Sequence, residues 1–337
     1  MTLPPELRCP PHGAELTVGA AGLECAQGCL VPVVNGIPRF VDSSLYAAAF
    51  GRQWKAHPRT QLDSYTGVPI SRERLTRCLG GAVEIVRGRS VLEVGCGAGR
   101  FTEILLAAGA SVLASDLSDA IEVNARNCGP RPGYFACQAD ILHLPVAPAS
   151  FDVVIALGVV QHTPSPEAAI AALAAAVRPG GQLVLDHYTV RPRDTWYFRL
   201  LGRLFPRMLV RDVLVRLPPA ASSRAADALS HALLPLHRLF WRPGPLARTA
   251  RVVLRKLSPL ADYYDRFPQL GPERLAEWSI LDTHDAVTDR YKHFRNPDQI
   301  RAALLACGLI DVEAVYGGNG VEARARRPAN ASSQDAA

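Results

Sequence analysis

A glycine-rich turn near residue 95 constrains the fold of this chain more than any other feature. The stretch Val91-Leu-Glu-Val-Gly95-Cys-Gly-Ala-Gly99-Arg-Phe101 runs from an apolar strand, through three alternating glycines, into an apolar helix. Glycine allows the backbone to approach a ligand closely because it carries no Cβ. In open α/β sheets, ligands bind at the carboxyl ends of the strands, beside such turns. The stretch therefore predicts a ligand-binding strand–turn–helix unit, and a plain tight turn is the alternative.

Short apolar runs and helical stretches alternate along the chain. The runs at 90–94, 111–117, 133–138, 151–157 and 182–186 are separated by glycine, proline and helical segments. A helix at 297–307 precedes two further strands at 309–315 and 320–326. This alternation predicts a parallel sheet with crossover helices. We therefore expect a Rossmann-like, doubly wound α/β fold with a mostly parallel seven-stranded sheet.

Acidic residues follow the second and third predicted strands. Asp116 lies 21 residues after Gly95, at a place where a carboxylate can accept hydrogen bonds from both ribose hydroxyls of a nucleoside. Asp140 follows the next strand, and the motif Arg178-Pro-Gly-Gly181 precedes the fifth. The third glycine of the turn comes one residue earlier than in the dinucleotide-binding Gly-x-Gly-x-x-Gly pattern. A nucleoside ligand other than a dinucleotide is therefore favoured.

Taken in order, these motifs resemble the class I S-adenosylmethionine-dependent methyltransferases, and most of all the ubiquinone-biosynthesis-like group. The likeness is close over 90–187 and loose over 296–326. It implies an enzyme with S-adenosyl-L-methionine as cofactor and a small-molecule, glycan or lipid-linked biosynthetic intermediate as methyl acceptor. The resemblance places the cofactor contacts in the turns after strands one to four, at Glu93, Gly95, Gly97, Gly99, Asp116, Leu117, Asp140, Ile141, Leu157 and Gly158.

Two histidines are candidates for a general base. His162 follows the fourth strand, where the resemblance implies the mouth of the donor pocket. Its unperturbed pKa lies near neutrality, which suits proton abstraction from an acceptor. The alternative is that His162 only packs or orients its loop. His284, in Asp282-Thr-His-Asp285, is the second candidate.

Residues 43–88 are predicted to form a helical segment ahead of the first core strand. The resemblance implies a lid over the cofactor, in which Arg52, Gln61 and Tyr65 meet the methionine carboxylate or the acceptor. Arginine suits a carboxylate because it can donate two parallel hydrogen bonds. The alternative is that Trp54 and Leu62 simply pack this helix on the sheet.

Residues 1–42 carry a zinc-ribbon pattern. Cys9 and His12 form one close pair, and Cys25 and Cys29 form a second. Two such pairs suit tetrahedral zinc, and the metal would supply folding energy that so small an apolar core lacks. The segment is similar to zinc ribbons that accompany class I methyltransferases, although His12 stands where cysteine is usual. We predict a structural zinc ion, with a degenerate, metal-free ribbon as the alternative.

A basic insertion occupies residues 190–289. Between 191 and 256 it holds fourteen basic and three acidic residues, a local balance of +11 in a chain whose net charge is +6. Three interpretations stay open: a helical cap over the acceptor pocket, a peripheral contact with an anionic membrane, or a surface for RNA phosphates. Of these, RNA is the least favoured.

The remaining expectations concern the rest of the chain. The methyltransferase-like core is predicted at 89–189 and 290–327, and 328–337 as a disordered polar tail. No secretory signal or membrane span is recognisable, and eight cysteines show no disulfide framework. A cytoplasmic protein, with peripheral attachment to the inner membrane surface left open, is expected, and no oligomeric state is predicted. Alternative functions are an rRNA or tRNA methyltransferase and a non-catalytic subunit that supports a partner.

Overall fold

The computed structural model describes residues 2–41, 48–190 and 206–329. These divide into two units, the first with 2–41, 72–189 and 291–329 and the second with 48–71, 190 and 206–290. The predicted 43–88 lid is thus divided between the units: 48–71 belong to the second unit, together with the described part of the predicted insertion, and 72–88 belong to the first. Arg191, Arg193, Arg199, Arg203 and most of the predicted tail lie outside the described residues.

The N-terminal segment of the first unit is built from very short strands. A three-stranded antiparallel sheet contains β1 (Leu16–Val18), β2 (Leu23–Cys25) and β3 (Leu30–Val31), and a hairpin pairs β4 (Val33–Val34) with β5 (Ile37–Pro38). The hairpin turns through Asn35 and Gly36, both at positive φ, as a two-residue turn requires.

The main sheet of the first unit has seven strands. They are β6 (Ser90–Val94), β7 (Ser111–Asp116), β8 (Tyr134–Gln138), β9 (Phe151–Ala156), β10 (Val177–His187), β11 (Ile310–Gly317) and β12 (Gly320–Arg326). Their order is β11-β12-β10-β9-β6-β7-β8, parallel from β10 to β8, with β12 antiparallel to both of its neighbours. The predicted Rossmann-like fold is confirmed.

The helices within the described ranges are α1 (Ala48–Ala56), α2 (Asp63–Thr66), α3 (Ile70–Leu79), α4 (Thr102–Ala107), α5 (Ala120–Cys128), α6 (Pro166–Ala176), α7 (Pro206–Leu214), α8 (Pro219–Arg238), α9 (Pro245–Leu257), α10 (Gly271–Thr288) and α11 (Pro297–Ala306). Short 3-10 turns occur at Val83–Val86, Ile141–His143, Val160–His162 and Pro268–Leu270. Within these ranges, no helix combines the length and apolar character needed to cross a membrane.

Both faces of the main sheet are covered by apolar residues. Successive residues of β6 enter two different core clusters, Val91 on one face and Leu92 on the other, because side chains alternate along a strand. Helices cover both faces, so the strands read as continuous apolar runs. The strand order reverses between β6 and β9, and this topological switch point is where ligands of such sheets bind.

The N-terminal segment is attached to the main sheet of its own unit. The backbone amide of Arg8 donates to the carbonyl oxygen of Pro145 at 2.8 Å, and that of Phe40 donates to Gln138 at 2.8 Å. Leu7 and Leu23 are buried in the same cluster as Leu92. The segment therefore shares a core with the sheet.

The second unit is helical. Its longest helices, α8 and α10, pack against one another, and α10 also contacts α7 and α1. Small apolar clusters form its core; one contains Leu260 and Leu234, another Leu275 and Trp278, and a third Val287.

Candidate functional site

The turn after β6 is shaped by glycines that no other residue could replace cheaply. Gly95, Gly97 and Gly99 all have positive φ, a conformation that L side chains rarely adopt. A Cβ on Gly95 would lie 2.3 Å from Cγ2 of Val159, which belongs to the turn after β9. The turns after β6 and β9 are therefore in direct contact at the switch point, and they form one edge of a cradle.

Asp116 ends β7 with its carboxylate against this glycine turn. One carboxylate oxygen accepts from the backbone amide of Gly97 at 2.9 Å. The other accepts from the amide and the hydroxyl of Ser118, at 2.8 and 2.7 Å. Burial raises the pKa of Asp116, and these hydrogen bonds from Ser118 and Gly97 act in the opposite direction. The turn thus holds a carboxylate in place where a nucleoside hydroxyl could replace the Gly97 contact.

Glu93, by contrast, faces the interior. Its side chain is buried, and one oxygen accepts from the Thr102 hydroxyl at 2.6 Å. The Asn124 amide donates to the same hydroxyl at 2.9 Å. Burial raises the pKa of Glu93 to about 8, only partly offset by the Thr102 hydrogen bond, and the nearby charge of Asp116 adds to the increase. Glu93 therefore supports the glycine turn from the protein interior, through its hydrogen bond with Thr102.

The other predicted cofactor residues of the first unit follow β7, β8 and β9. Leu117 accepts a hydrogen bond from the Gln138 side chain, and Asp140 caps the 3-10 turn that contains Ile141. Ile141 and Leu157 are buried. The carboxyl ends of parallel strands meet at one edge of a sheet, so these residues share the edge with Asp116. Their role as cofactor contacts stays a prediction.

Arg74, on α3, is a residue of this edge that the sequence did not reveal. Its guanidinium donates two hydrogen bonds to one oxygen of Asp186, and the other Asp186 oxygen accepts from the amide of Gly158. The guanidinium also lies over the Phe101 ring, 5.5 Å from its centre. Gly158 is one of the predicted cofactor residues, and a Cβ added there would be 3.4 Å from Arg74. An arginine is thus fixed beside the turns after β6 and β9.

His162 is positioned by a neighbouring backbone carbonyl. Its Nδ1 lies 3.2 Å from the Tyr291 backbone oxygen, which can only accept a hydrogen bond, so Nδ1 carries a proton and, in the neutral imidazole, Nε2 carries the lone pair. The Tyr188 ring packs edge-on at 5.2 Å. The side chain is 8% exposed, in the turn that contacts Gly95 through Val159. This geometry provides an oriented imidazole with the tautomer of a general base.

Within the part of the chain that the structure describes, several buried polar atoms close to His162 have no hydrogen-bond partner. They include both amide atoms of Gln161 and the Nε2 atoms of His187 and His293. The backbone amide of His293 donates to the backbone carbonyl oxygen of Gln161 at 3.0 Å, and His187 interacts electrostatically with His293, so the three residues are neighbours. The Nδ1 of His187 faces the Tyr188 carbonyl at 2.8 Å. Burial lowers the pKa of His187 to about 4. Sequence patterns give no sign of such a cluster, because orphaned atoms are a property of tertiary packing.

Three other predicted site residues lie in the second unit and are engaged there. The Gln61 amide donates to Asp282 at 3.0 Å, and Arg52 donates to the Ser223 hydroxyl at 3.4 Å. His284 is buried, with Nδ1 3.1 Å from the Gln53 side-chain oxygen. Burial lowers the pKa of His284 to about 4, which makes it a weak base. Their assignments to the cofactor and to catalysis stay predictions, without support from these contacts.

The four predicted metal ligands converge. Nδ1 of His12 lies 3.7 Å from the sulfur of Cys9, 3.4 Å from that of Cys25 and 3.5 Å from that of Cys29. All four ligand atoms lie within 4.8 Å of one another. Zinc bonds of about 2.0–2.3 Å in a tetrahedron imply ligand separations of about 3.5 Å, so the donor set fits. This cluster could hold a structural zinc ion.

Several arginines of the basic segment are used inside the second unit. Arg207 donates to the carbonyls of Pro259 and Leu260, and Arg211 pairs with buried Asp289. Arg251 and Arg255 share Asp265. The positive charge of the segment is therefore partly structural, which reduces the surface available to RNA phosphates.

Comparison with known proteins agrees with this geometry. Residues 92–185 match the family described as "Methyltransferase domain". Over these residues the chain is similar to a methyltransferase domain. The matched span begins in β6 and ends in β10, and so includes the glycine turn, Asp116 and His162.

Relatives of the methyltransferase domain include ubiquinone biosynthesis O-methyltransferases. That of Methylococcus capsulatus is 31% identical over 172 residues, which are 49% of this chain and 62% of the relative. That of Aromatoleum aromaticum is 34% identical over 129 residues, 36% of this chain and 54% of the relative. The chain spans little more than half the length of these relatives. A solved magnesium protoporphyrin IX methyltransferase from Synechocystis aligns over 85% of this chain and 88% of its own, at 16% identity and a TM-score of 0.39, and is too distant to bear on function.

Proposed function

We propose that this protein transfers a methyl group from S-adenosylmethionine to a small-molecule acceptor. The observation that carries the proposal is the Asp116 carboxylate, held against the glycine turn at the switch point of a methyltransferase domain. Gly95, Gly97 and Gly99 of the turn all have positive φ, and a side chain on Gly95 would collide with Val159. The residues present therefore fit a nucleoside-bearing cofactor.

The residues of this edge have distinct roles in the proposed binding. Asp116 accepts hydrogen bonds from the ribose hydroxyls, and the glycine turn allows the cofactor to approach the backbone. Arg74 donates to the carboxylate of the amino acid moiety, for which its fork of N–H groups is suited. When bound, the cofactor supplies an already activated methyl group. What the protein must add is positioning of the acceptor, and proximity contributes much of the rate.

His162 is the proposed base. The lone pair on Nε2 can take the proton from a hydroxyl or amine of the acceptor while Nδ1 stays bonded to the Tyr291 carbonyl. Gln161, His187 and His293 offer the unused hydrogen-bonding atoms nearby. A buried polar atom that gains a partner on substrate binding favours that substrate over analogues that lack the matching group. We therefore assign acceptor recognition to this cluster.

The acceptor we favour is lipid-linked, and the protein is then a peripheral membrane enzyme at the cytoplasmic surface. Two observations support this finer proposal. The relatives are named for the biosynthesis of ubiquinone, and the second unit presents basic and apolar surface. The Cys9, His12, Cys25 and Cys29 cluster is proposed to bind one zinc ion with a structural role, because its four ligands leave no open position.

The test is transfer of radiolabelled methyl from S-adenosylmethionine to three separate extracts: lipids, water-soluble metabolites and RNA. Label in the lipid extract that disappears with the Asp116→Ala variant is the expected result. Label in RNA alone, with binding that weakens steeply as salt rises, would instead favour an RNA methyltransferase. No label in any extract, together with no cofactor binding, would contradict the proposal that this protein is a methyltransferase.

A further inference from the structure

Helix α9 exposes an apolar stripe that is unusual for a surface helix. Leu246, Val253 and Leu257 are 86%, 47% and 68% exposed. Spaced by seven and four residues, they lie on one face of the helix. Isolated exposed leucines are ordinary, but a stripe along one helix is not.

The opposite side of α9 is fixed to the second unit. Arg251 is buried, donates to Asp265 at 2.6 and 2.9 Å, and its guanidinium lies over the Tyr264 ring. The Arg251 guanidinium also donates to the carbonyls of Phe240 and Arg242, just after α8. The buried side of the helix is therefore satisfied, and its orientation within the unit is set. These contacts keep the apolar stripe exposed, because a rotation of α9 that buried the stripe would break them.

Exposed basic residues lie on the same helix, with Lys256 beside the stripe, and the helix has no acids. The helix carries Arg248, Arg251, Arg255 and Lys256 and no acidic residue. Arg248 and Lys256 are exposed. A second exposed stripe, Leu209, Val213 and Leu217, runs along and just beyond α7. Arg207 of α7 donates to Pro259 and Leu260, immediately after the end of α9, so the two helices adjoin within the unit.

We propose that α9 is an interfacial helix that seats the second unit on an anionic lipid surface. Its leucines enter the boundary between headgroups and acyl chains, while Arg248 and Lys256 meet the lipid phosphates. Apolar surface together with cationic flanks is the combination by which helices bind anionic membranes. An apolar protein partner would not require the cations, and RNA would not require the leucines. The inference rests on the proposed lipid-linked acceptor, because attachment to the membrane would bring the enzyme to that acceptor.

The experiment is co-sedimentation of the full-length protein with vesicles of phosphatidylcholine alone or mixed with phosphatidylglycerol. Binding should require the anionic lipid and weaken as salt rises. The double variant Leu246→Gln, Leu257→Gln should lower the partition coefficient about tenfold or more, because both apolar anchors are lost. The double variant Arg248→Gln, Lys256→Gln should lower it by a similar factor on anionic vesicles.

Matched controls use exposed residues of the first unit. Leu305→Gln, also at an exposed leucine, and Arg126→Gln with Arg131→Gln, at exposed arginines, should leave vesicle binding unchanged. Absence of binding to either vesicle, or equal binding by the leucine variant and the wild type, would overturn the proposal. So would a homodimer, seen by light scattering without lipid, that the leucine variant dissociates. Because the assay needs no methyl transfer, its failure is separate from failure of the proposed activity, which cofactor binding measures.

Discussion

At Gly95, two constraints act on a single residue. Its φ of +70° disfavours any side chain, and a Cβ would lie 2.3 Å from Val159. Gly88 offers a matched control, because its φ is +68° but nothing lies within 4 Å of its Cβ position. Both substitutions to alanine bear the cost of the left-handed conformation, and Gly95 alone bears the collision.

We therefore predict that Gly95→Ala is more destabilising than Gly88→Ala by about 1–3 kcal/mol, the usual cost of overpacking. Gly95→Ala should also weaken S-adenosylmethionine binding, because the turns after β6 and β9 must separate. Chemical denaturation and calorimetry measure the two effects. Equal stability of the two variants would show that the Val159 side chain moves away from the new Cβ without loss of stability.

Glu93 makes stability depend on pH. Its pKa is about 8 in the folded protein, whereas an unfolded chain gives about 4.3 for glutamate. As pH rises between these values, the unfolded state loses a proton that the folded state keeps, so stability falls through this window. Glu93→Gln keeps an oxygen for Thr102 and removes the titration. We predict that its stability relative to the wild type is higher at pH 8 than at pH 5, by chemical denaturation. A constant difference would place the Glu93 pKa near its ordinary value.

The proposed base can be separated from a packing role. In His162→Asn, the amide can still donate to the Tyr291 carbonyl, but no basic nitrogen remains. We predict a fall in kcat of about 100-fold or more, with cofactor affinity unchanged. Unchanged kcat would assign His162 to positioning its turn alone.

Among the elements, the strands were the most predictable from sequence. β6 and β12 occupy the residues predicted, and β7 and β9 agree at their starts, because buried parallel strands are apolar runs bounded by glycine and proline. β10 is longer than predicted, since Val177 also pairs with β9 and the register shifts before Gln182. That irregularity depends on pairing with another strand, which a local pattern does not encode.

The N-terminal ribbon is the element for which we expect stabilisation by a metal. Its strands have two or three residues each, which is too few for an independent fold without cross-links. We predict about one zinc ion per chain by elemental analysis, lost in Cys25→Ser and kept in His12→Cys, because thiolate can replace imidazole in a tetrahedral site. Chelation should lower the Tm, since the ribbon shares a core with Leu92. Metal-free protein with an unchanged Tm would identify a degenerate ribbon.

At the scale of the whole molecule, the sequence predicted the seven-stranded Rossmann-like sheet and its glycine turn, but not how side chains from distant segments meet. Arg74 reaches Asp186 across 112 positions, and His162 meets Tyr291 across 129. Such pairs follow from the packing of the folded chain. Arg251 is a further example. The sequence shows only that it is one of the basic residues of the insertion, whereas the structure shows it buried in an ion pair with Asp265.

Binding of S-adenosylmethionine to the purified protein, measured by calorimetry, tests the central claim most directly. We predict saturable binding to the wild type and a loss of about 1–3 kcal/mol in Asp116→Ala, because charge-assisted hydrogen bonds to the ribose are removed. The control Asp298→Ala, an exposed acid on α11, should bind as the wild type does. Absence of binding to the folded wild type, or equal affinity in Asp116→Ala, would contradict the account.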